Sequence, residues 1–292
     1  MRRAAIKCAL RAACVAATFL RGCIAWGEPA WVPTQSDVAY GSDPEQRLDI
    51  YSPATHASKR AGLILIHGGG WGGGDKLEFG YLGHLAAMRG IVAIAINYRP
   101  ASGSPRGMWP AQINDVEAAL RWVRNRISEI GIDPRHICAL GSSAGGHLVV
   151  LSAVRSQGGS DRIACVVDDF GPVDLIKFFT GPPTGWFGET DLAKLHQMLV
   201  TASPVHFVSK ETPPTLIVQG TDDTAVKPEQ SEALYAALIR AGAPAWYITY
   251  KGGHGFEGLK SAQYTALLEQ ELDFVLARAL PDSGADKTKP LH

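Results

Sequence analysis

The segment with the clearest capacity for chemistry is the Gly-Ser-Ser-Ala-Gly stretch that begins at Gly141. Its Gly-x-Ser-x-Gly spacing places Ser143 between an apolar run, 137–140, and an apolar helical pattern, 148–151. That context predicts a tight turn from a buried strand into a helix, with the serine hydroxyl presented as a nucleophile. The spacing also occurs in ordinary glycine-rich turns, and Ser142 has the wrong register and is interpreted as structural. The flanking strand and helix favour the nucleophile.

Backbone amides that could stabilise a negative oxygen are expected at two places. Ala144, the first residue of the predicted helix, presents its amide at a helix N-terminus. The other place follows a buried strand, where His67 precedes three glycines and a tryptophan. Bare glycine backbone can approach a substrate oxygen closely, so Gly69 and Gly70 are the predicted donors, with Gly68 as an alternative. A phosphate-binding loop is the competing interpretation, but the Lys-Ser/Thr pair of a P-loop does not follow.

A base and an orienting acid are predicted later in the chain, again directly after strands. His254 lies between two glycines after the strand 245–250, and it is the predicted base. Such a histidine needs a carboxylate that fixes its orientation. Asp222 and Asp223 both follow the strand 215–219, and reach alone leaves either of them as the acid.

The other histidines and the cysteines show no metal-binding pattern. His147 lies one helical turn beyond the serine and is expected to pack beneath it, and His67 is expected to brace the glycine loop. No histidine pair has a zinc-type spacing with a suitable acid, so neither a metal nor a cofactor is predicted. Cys138 and Cys165 fall in predicted core strands and are interpreted as buried thiols, with a disulfide between them left open.

Strands and helices alternate along most of the chain, which predicts a parallel sheet with right-handed crossovers. Fully apolar runs such as 61–67 are typical of strands covered on both faces. No linker or repeat divides the predicted domain, 28–280, but the alternation lapses over 171–214, where a lid-like insertion is expected. Trp186 of this insertion and Trp71 of the glycine loop are candidates to line an acyl or alcohol pocket. Covering the domain's own core is the equally open alternative.

Composition and charge exclude several kinds of partner. The 292 residues are 46% hydrophobic and carry 28 basic and 28 acidic side chains, so no nucleic-acid-binding surface is predicted. Residues 1–27 combine a basic start with a short apolar stretch, which predicts a secretory leader and export to the periplasm or the medium. The alternative is an alanine-rich N-terminus of a cytoplasmic protein. The apolar stretch is too short to span a bilayer, and 281–292 is expected to be a flexible tail.

Four segments in this order make the chain similar to the α/β-hydrolase superfamily, in the esterase branch of hormone-sensitive-lipase-like and feruloyl- or acetyl-xylan-esterase-like proteins. The segments are His67-Gly-Gly-Gly-Trp71, Gly141-Ser-Ser143-Ala-Gly-Gly, Gly220-Thr-Asp-Asp223 and Gly253-His254-Gly255. The resemblance implies an α/β-hydrolase fold, with a mostly parallel central sheet, helices on both faces and a small lid-like insertion. In that family the acid usually stands three residues after the glycine, which selects Asp223 over Asp222.

The activity that follows is hydrolysis of carboxylic esters of small soluble substrates, with short-acyl, aryl or acetyl groups, through an acyl-enzyme. Ser143 is then the nucleophile, His254 the base and Asp223 the residue that orients it. Kynurenine formamidases share the first motif and the same three residues, so an arylformamidase stays open as an alternative. A non-catalytic hydrolase fold that acts as a binding module is the third interpretation, and the complete set of motifs argues against it. The sequence does not predict an oligomeric state.

Overall fold

An eight-stranded sheet forms the centre of the described part of the chain, which in this computed structural model comprises residues 31–55, 60–101, 105–157 and 162–279. Its strands are β1 (Gln35–Ala39), β2 (Arg47–Tyr51), β3 (Arg60–Ile66), β4 (Val92–Ile96), β5 (Ile132–Ser142), β6 (Val166–Asp169), β7 (Thr215–Gly220) and β8 (Ala245–Tyr250). In the sheet they stand in the order β1-β2-β4-β3-β5-β6-β7-β8. Strand β2 is antiparallel to β1 and β4, and β3 to β8 run parallel to one another. The predicted, mostly parallel sheet is confirmed.

Helices cover both faces of this sheet. They are α1 (Gly80–Met88), α2 (Ala111–Arg124), α3 (Ile127–Ile130), α4 (Ala144–Arg155), α5 (Leu175–Phe178), α6 (Thr184–Phe187), α7 (Leu192–Ala202), α8 (Pro228–Ala241) and α9 (Ser261–Ala279). Apolar residues of α2, α4 and α8 form one core layer, and those of α1 and α9 form the other. Successive residues of β3 alternate between the layers, with Ile64 and Ile66 in the first and Leu63 and Leu65 in the second. Because both faces are buried, the strand carries no polar side chain from Ala61 to Ile66.

Two regions differ from the elements expected from periodicity. The helical pattern over 111–130 is interrupted after Arg124, and the short helix α3 is followed by Gly131, whose φ of 76° only glycine adopts readily. Strand β5 then begins at Ile132, earlier than the apolar run 137–140 indicates. A register irregularity against β3 accommodates the extra residues, which a pattern of apolar positions does not reveal. Strand β1, at the sheet edge, has no such run and is not predicted.

The expectation of two buried thiols at Cys138 and Cys165 is wrong, because the two sulfurs form a disulfide. Strands β5 and β6 are parallel neighbours with Ala139 opposite Val166, so the residues just before this pair lie side by side. Their Cα atoms are 4.6 Å apart, and both side chains are fully buried. The pairing depends on the register between two strands. That register cannot be predicted from the spacing of the cysteines in the sequence.

Two predicted segments fall outside the described residues, namely the leader at 1–27 and the tail at 281–292. Within the described ranges, no helix is both long and apolar enough to cross a membrane. The lapse in alternation over 171–214 corresponds to the helices α5, α6 and α7, which lie in the chain between β6 and β7.

Candidate active site

Ser143 occupies a sharp turn between β5 and α4. Its φ of 55° lies in the left-handed region that residues with a side chain rarely adopt, so the backbone is strained there. Two flanking glycines allow the turn: a Cβ on Gly141 would lie 2.3 Å from the carbonyl oxygen of Gly145, and one on Gly145 would lie 1.9 Å from that of Ile66. The amide of Ser143 donates to the carbonyl of Asp169 at 2.8 Å. The turn therefore fixes Ser143 at the carboxyl edge of the sheet.

Three side chains from separate loops meet at this edge. His254 Nε2 lies 2.9 Å from Ser143 Oγ, and His254 Nδ1 lies 2.7 Å from Asp223 Oδ2. An ionised carboxylate can only accept a hydrogen bond, so the proton of the neutral imidazole is assigned to Nδ1, and Nε2 is left to accept from the serine hydroxyl. This is the tautomer that a general base beside a nucleophilic serine requires. The parallel strands produce the meeting, since β5, β7 and β8 all end at the same edge.

The carboxylate of Asp223 is held by donors from its own loop. Its Oδ1 accepts from the amides of Ala225 and Val226, each at 2.9 Å, and its Oδ2 accepts from Gln219 Nε2 at 3.3 Å and from His254. Burial raises the pKa of the Asp223 carboxyl, but the His254 hydrogen bond and charge, together with the two amides, outweigh burial and lower the net pKa. Asp223 is therefore a carboxylate at neutral pH.

Asp222 points elsewhere. It is exposed, and its carboxylate pairs with Lys251 Nζ at 2.5 Å. The structure thus brings His254 to Asp223 and not to Asp222. Gln219, which sequence reasoning missed, lies in a buried strand and also bonds to Ser231 Oγ at 2.7 Å. A glutamine inside an otherwise apolar strand was the available signal.

The loop that carries His254 is fixed by its neighbours. The amide of Thr221 donates to the carbonyl of Tyr250 at 2.9 Å, which joins the loops after β7 and β8. Tyr250 Oη donates to the carbonyl of Gly253 at 2.9 Å. The ring of Phe170, a residue that sequence reasoning also missed, packs edge-on against the imidazole with centroids 4.8 Å apart. With 29% of its side chain exposed, His254 stays accessible from solvent while its ring is held.

The glycine loop after β3 lies directly beside the serine. A Cβ built on Gly68 would be 3.3 Å from Ser143 Cβ. Gly69 and Gly70 have φ values of 99° and 58°, and their amides donate to no acceptor among the residues that the structure describes. Ala144 begins α4, so its amide has no partner within the helix. All three predicted donors thus lie on the two segments that adjoin the serine.

His67 and Tyr98 support this loop from below. Their rings stack with centroids 4.3 Å apart, and Tyr98 Oη donates to the carbonyls of His67 and Gly68 at 3.2 and 3.1 Å. Both side chains are buried, and burial lowers the pKa of His67, so its ring is neutral. Gly74 closes over the imidazole, where a Cβ would lie 2.3 Å from His67 Nδ1.

The two tryptophans predicted to line a pocket are stacked on each other, with ring centroids 4.1 Å apart. Trp71 Nε1 donates to His147 Nδ1, and Trp186 Nε1 donates to Gln112 Oε1, each at 3.1 Å. Only 4% of Trp71 and 8% of Trp186 is exposed. Other aromatic rings surround the stack, namely those of Trp109, Phe178, Phe179 and Phe187. The insertion therefore packs its aromatic residues against the end of the glycine loop.

Three acidic side chains, Asp168, Asp169 and Glu271, are fully buried near the serine. Burial raises the pKa of Asp168 to about 8. Burial also raises the pKa of Asp169, and the charges of Glu271 and Asp168 raise it further; burial raises the pKa of Glu271 as well. No amide, hydroxyl or cation of the described residues donates to Glu271 or to Asp169 Oδ1, so these two carboxyls can bond only by sharing a proton. No group of three or more His, Cys, Asp or Glu in the described ranges could hold a metal ion.

The chain is similar to known proteins in both sequence and fold. A family model described as BD-FAE matches residues 48–238. Esterase LipQ of Mycobacterium tuberculosis is 31% identical over 82% of this chain and 61% of its own length. The solved structure of a truncated carbohydrate esterase from gut microbiota has a TM-score of 0.75 at 28% identity, and covers 86% of this chain and 98% of that one. A butyrate-bound esterase, Est2 of Thermogutta terrifontis, has a TM-score of 0.72 at 26% identity, over 85% and 95% of the two chains.

The family match extends over more than half of the chain and includes the glycine loop, the serine turn and Asp223. The chain spans less than two thirds of the length of the curated relatives it matches, whereas it covers the two solved structures almost completely. The α/β-hydrolase fold expected from the four motifs is confirmed. The chain belongs to the BD-FAE family and has the α/β-hydrolase fold.

Proposed function

We propose that this chain hydrolyses carboxylic esters of small substrates through a covalent acyl-enzyme formed at Ser143. The observation that carries the proposal is the continuous pair of hydrogen bonds, 2.9 and 2.7 Å long, from Ser143 Oγ through His254 to Asp223. Support also comes from the similar proteins, which are named as esterases. The strained serine backbone agrees with this role, because such strain is concentrated at functional sites.

The reaction begins when Ser143 Oγ attacks the ester carbonyl while His254 Nε2 takes the hydroxyl proton. The imidazolium that forms is stabilised by the carboxylate of Asp223, and it then protonates the departing alkoxide. Water enters in place of the alcohol, gives its proton to the same nitrogen and attacks the acyl-enzyme. The acid product leaves, and the proton returns to the serine.

The negative oxygen of each tetrahedral intermediate is bound by the amides of Gly69, Gly70 and Ala144. This assignment is part of the proposal and is supported by the open amides of the two glycines and by the helix start at Ala144. Loss of one good donor of this kind raises the barrier by roughly 3 kcal/mol. The site needs no metal for this chemistry, since proton transfer and charge stabilisation are both supplied by the chain.

The proposed acyl group is short, from acetyl to butyryl. The support is a similar structure described as butyrate bound, together with the aromatic wall of Trp71 and Trp186, which we propose limits the depth of the acyl side. The chain has a formal net charge of zero, so neutral esters fit better than polyanions.

The test is hydrolysis of p-nitrophenyl acetate and butyrate, with N-formylkynurenine as the amide to compare, by the wild-type chain and Ser143→Ala. We expect ester turnover by the wild type, a loss of at least about 10³-fold in Ser143→Ala, and a much slower reaction with the formamide. The neighbouring Ser142→Ala is the matched control and should keep wild-type turnover.

A fluorophosphonate should label the wild type and leave Ser143→Ala unlabelled. Undiminished ester hydrolysis by Ser143→Ala would remove the proposal. A faster reaction with N-formylkynurenine than with either ester would replace the esterase by an amidase that uses the same residues.

A further inference from the structure

His147 connects three parts of the site through one buried imidazole. It lies on α4, one turn beyond Ser143, and its side chain is completely buried. Its Nδ1 lies 3.1 Å from Trp71 Nε1, at the end of the glycine loop. Its Nε2 lies 2.7 Å from the carbonyl oxygen of Ala202, the last residue of α7. The nucleophile helix, the glycine loop and the insertion therefore meet at this ring.

The chemistry of the two partners fixes the tautomer of His147. An indole N–H can only donate, so Nδ1 must accept from Trp71; a carbonyl can only accept, so Nε2 must carry the proton. Both ring nitrogens are then satisfied in the neutral imidazole. Burial lowers the pKa of His147 to about 4, and the indoles of Trp71, Trp109 and Trp186 pack near its ring. The bond to Trp71 therefore persists at neutral pH.

Trp71 needs this restraint because of its backbone. It follows Gly70 directly and has a φ of 60°, a left-handed conformation that is costly for a residue with a bulky side chain. Its contacts include the bond to His147, the stack on Trp186 and the bond from the amide of Ala101 to its carbonyl at 2.8 Å. Of these, only the first leads to the helix that begins beside Ser143.

The second nitrogen extends the restraint into the insertion. Ala202 precedes Ser203, whose Oγ donates to the carbonyl of Leu199 at 2.7 Å and accepts from the amide of Leu175 at 2.9 Å. The end of α7 is thus bonded to the start of α5 on one side and to His147 on the other. The insertion is attached to the nucleophile helix by a buried hydrogen bond.

We infer that His147 is a positioning residue that holds Trp71 so that the amides of Gly69 and Gly70 stay aligned with Ser143. The inference rests on the proposed function, since it assigns a role in the same ester hydrolysis. His147 acts through Trp71 and contacts no reacting atom. An ångström of misplacement in such a constellation is enough to slow a reaction by about 100-fold.

The test separates the two bonds of the imidazole. His147→Asn keeps an acceptor near the Nδ1 position for Trp71, whereas His147→Gln keeps a donor near the Nε2 position for Ala202. We expect kcat for p-nitrophenyl acetate to fall about 10- to 100-fold in His147→Gln with KM changed less than about threefold, and His147→Asn to retain most of kcat. Equal losses in both variants would reduce His147 to a packing residue and overturn the inference.

Trp71→Phe provides the second measurement, because it keeps an aromatic ring and removes the N–H donor together with the five-membered ring that carries it. Its kcat should fall as far as that of His147→Gln, and the double variant should lose no more than either single variant, since both remove the same bond. If His147→Gln does not fold, Trp71→Phe decides alone. Multiplying losses in the double variant, or wild-type kcat in Trp71→Phe, would contradict the inference.

Matched controls are His136→Gln, at the far end of β5, and Trp246→Phe, on β8, which should both keep wild-type turnover. Failure of the proposed function has a different signature from failure of this inference. In the first case the wild-type chain itself hydrolyses no ester. In the second, the wild type is active and Ser143→Ala is not, while the His147 and Trp71 variants give one of the contradicting results above.

Discussion

Two sets of buried carboxyls near the serine have opposite protonation states. Asp223 accepts four hydrogen bonds, and its pKa is lowered although burial alone would raise it. Asp169 and Glu271 are more deeply buried and face no donor other than each other, so their pKa values are raised. In this protein a buried acid carries charge where hydrogen-bond donors offset its burial, and it stays neutral where they do not. Only the charged acid can orient a base.

The largest effect is expected from removing the charge of Asp223, so that it becomes neutral like the other acids. Asp223→Asn keeps the size of the side chain but removes its charge and presents an amide that no longer enforces the Nδ1–H tautomer of His254. We expect kcat for p-nitrophenyl acetate to fall by about 10³- to 10⁴-fold. The matched control, Asp222→Asn, alters only an exposed carboxylate paired with Lys251 and should change kcat less than about twofold.

The protonated set should act on stability instead of turnover. Asp168 and Glu271 keep a proton in the folded state up to a pH of about 8, whereas in the unfolded chain an acid releases it at about pH 4. Between these values the folded state binds more protons, so the free energy of unfolding must fall as pH rises. Each retained proton contributes about 1.4 kcal/mol per pH unit to that slope.

Urea unfolding at pH 5, 6, 7 and 8 would measure this slope. Glu271→Gln, which cannot ionise, should flatten the slope and gain stability relative to the wild type as pH rises, with turnover nearly unchanged. Asp273→Asn, on the exposed side of the same helix, is the control. A wild-type stability that increases from pH 5 to pH 8 would show that these acids are ionised in the folded protein.

The smallest effect is expected from removing one of the donors that keep Asp223 ionised. Gln219→Leu removes the 3.3 Å bond to Asp223 Oδ2 and leaves the two amide bonds in place. We expect kcat to fall about 3- to 10-fold, and stability to fall by about 1–3 kcal/mol because Ser231 loses its partner. Ser231→Ala, which keeps Gln219, separates the two losses. A kcat unaffected by Gln219→Leu would leave the backbone amides as sufficient support.

Most residues of this site can be predicted from sequence motifs only a few residues long. Gly141 and Gly145 mark the serine turn because a Cβ at either position would collide with backbone, so the signal is local. The choice of Asp223 over Asp222 has a different origin. It depends on how the loop after β7 turns, and only the family resemblance indicated it before the structure placed Asp223 beside His254.

Contacts between distant segments could not be read in the same way. The disulfide between Cys138 and Cys165 depends on strand register, and the edge-on contact of Phe170 with His254 depends on the loops after β6 and β8. The bond between His147 and Trp71 joins residues 76 positions apart. Periodicity predicted the sheet and its main helices because apolar spacing is a property of each element alone, whereas β1 forms by pairing with β2 and has no apolar run of its own.

The disulfide between β5 and β6 allows the opening of the core to be measured chemically, which an activity assay does not do. Both sulfurs are fully buried between the sheet and its helices, so a dissolved reductant reaches them only when this part of the core opens. Cys138 is on the strand that ends beside Ser143. The rate at which a small reductant frees these thiols under native conditions therefore measures how often the sheet beneath Ser143 opens.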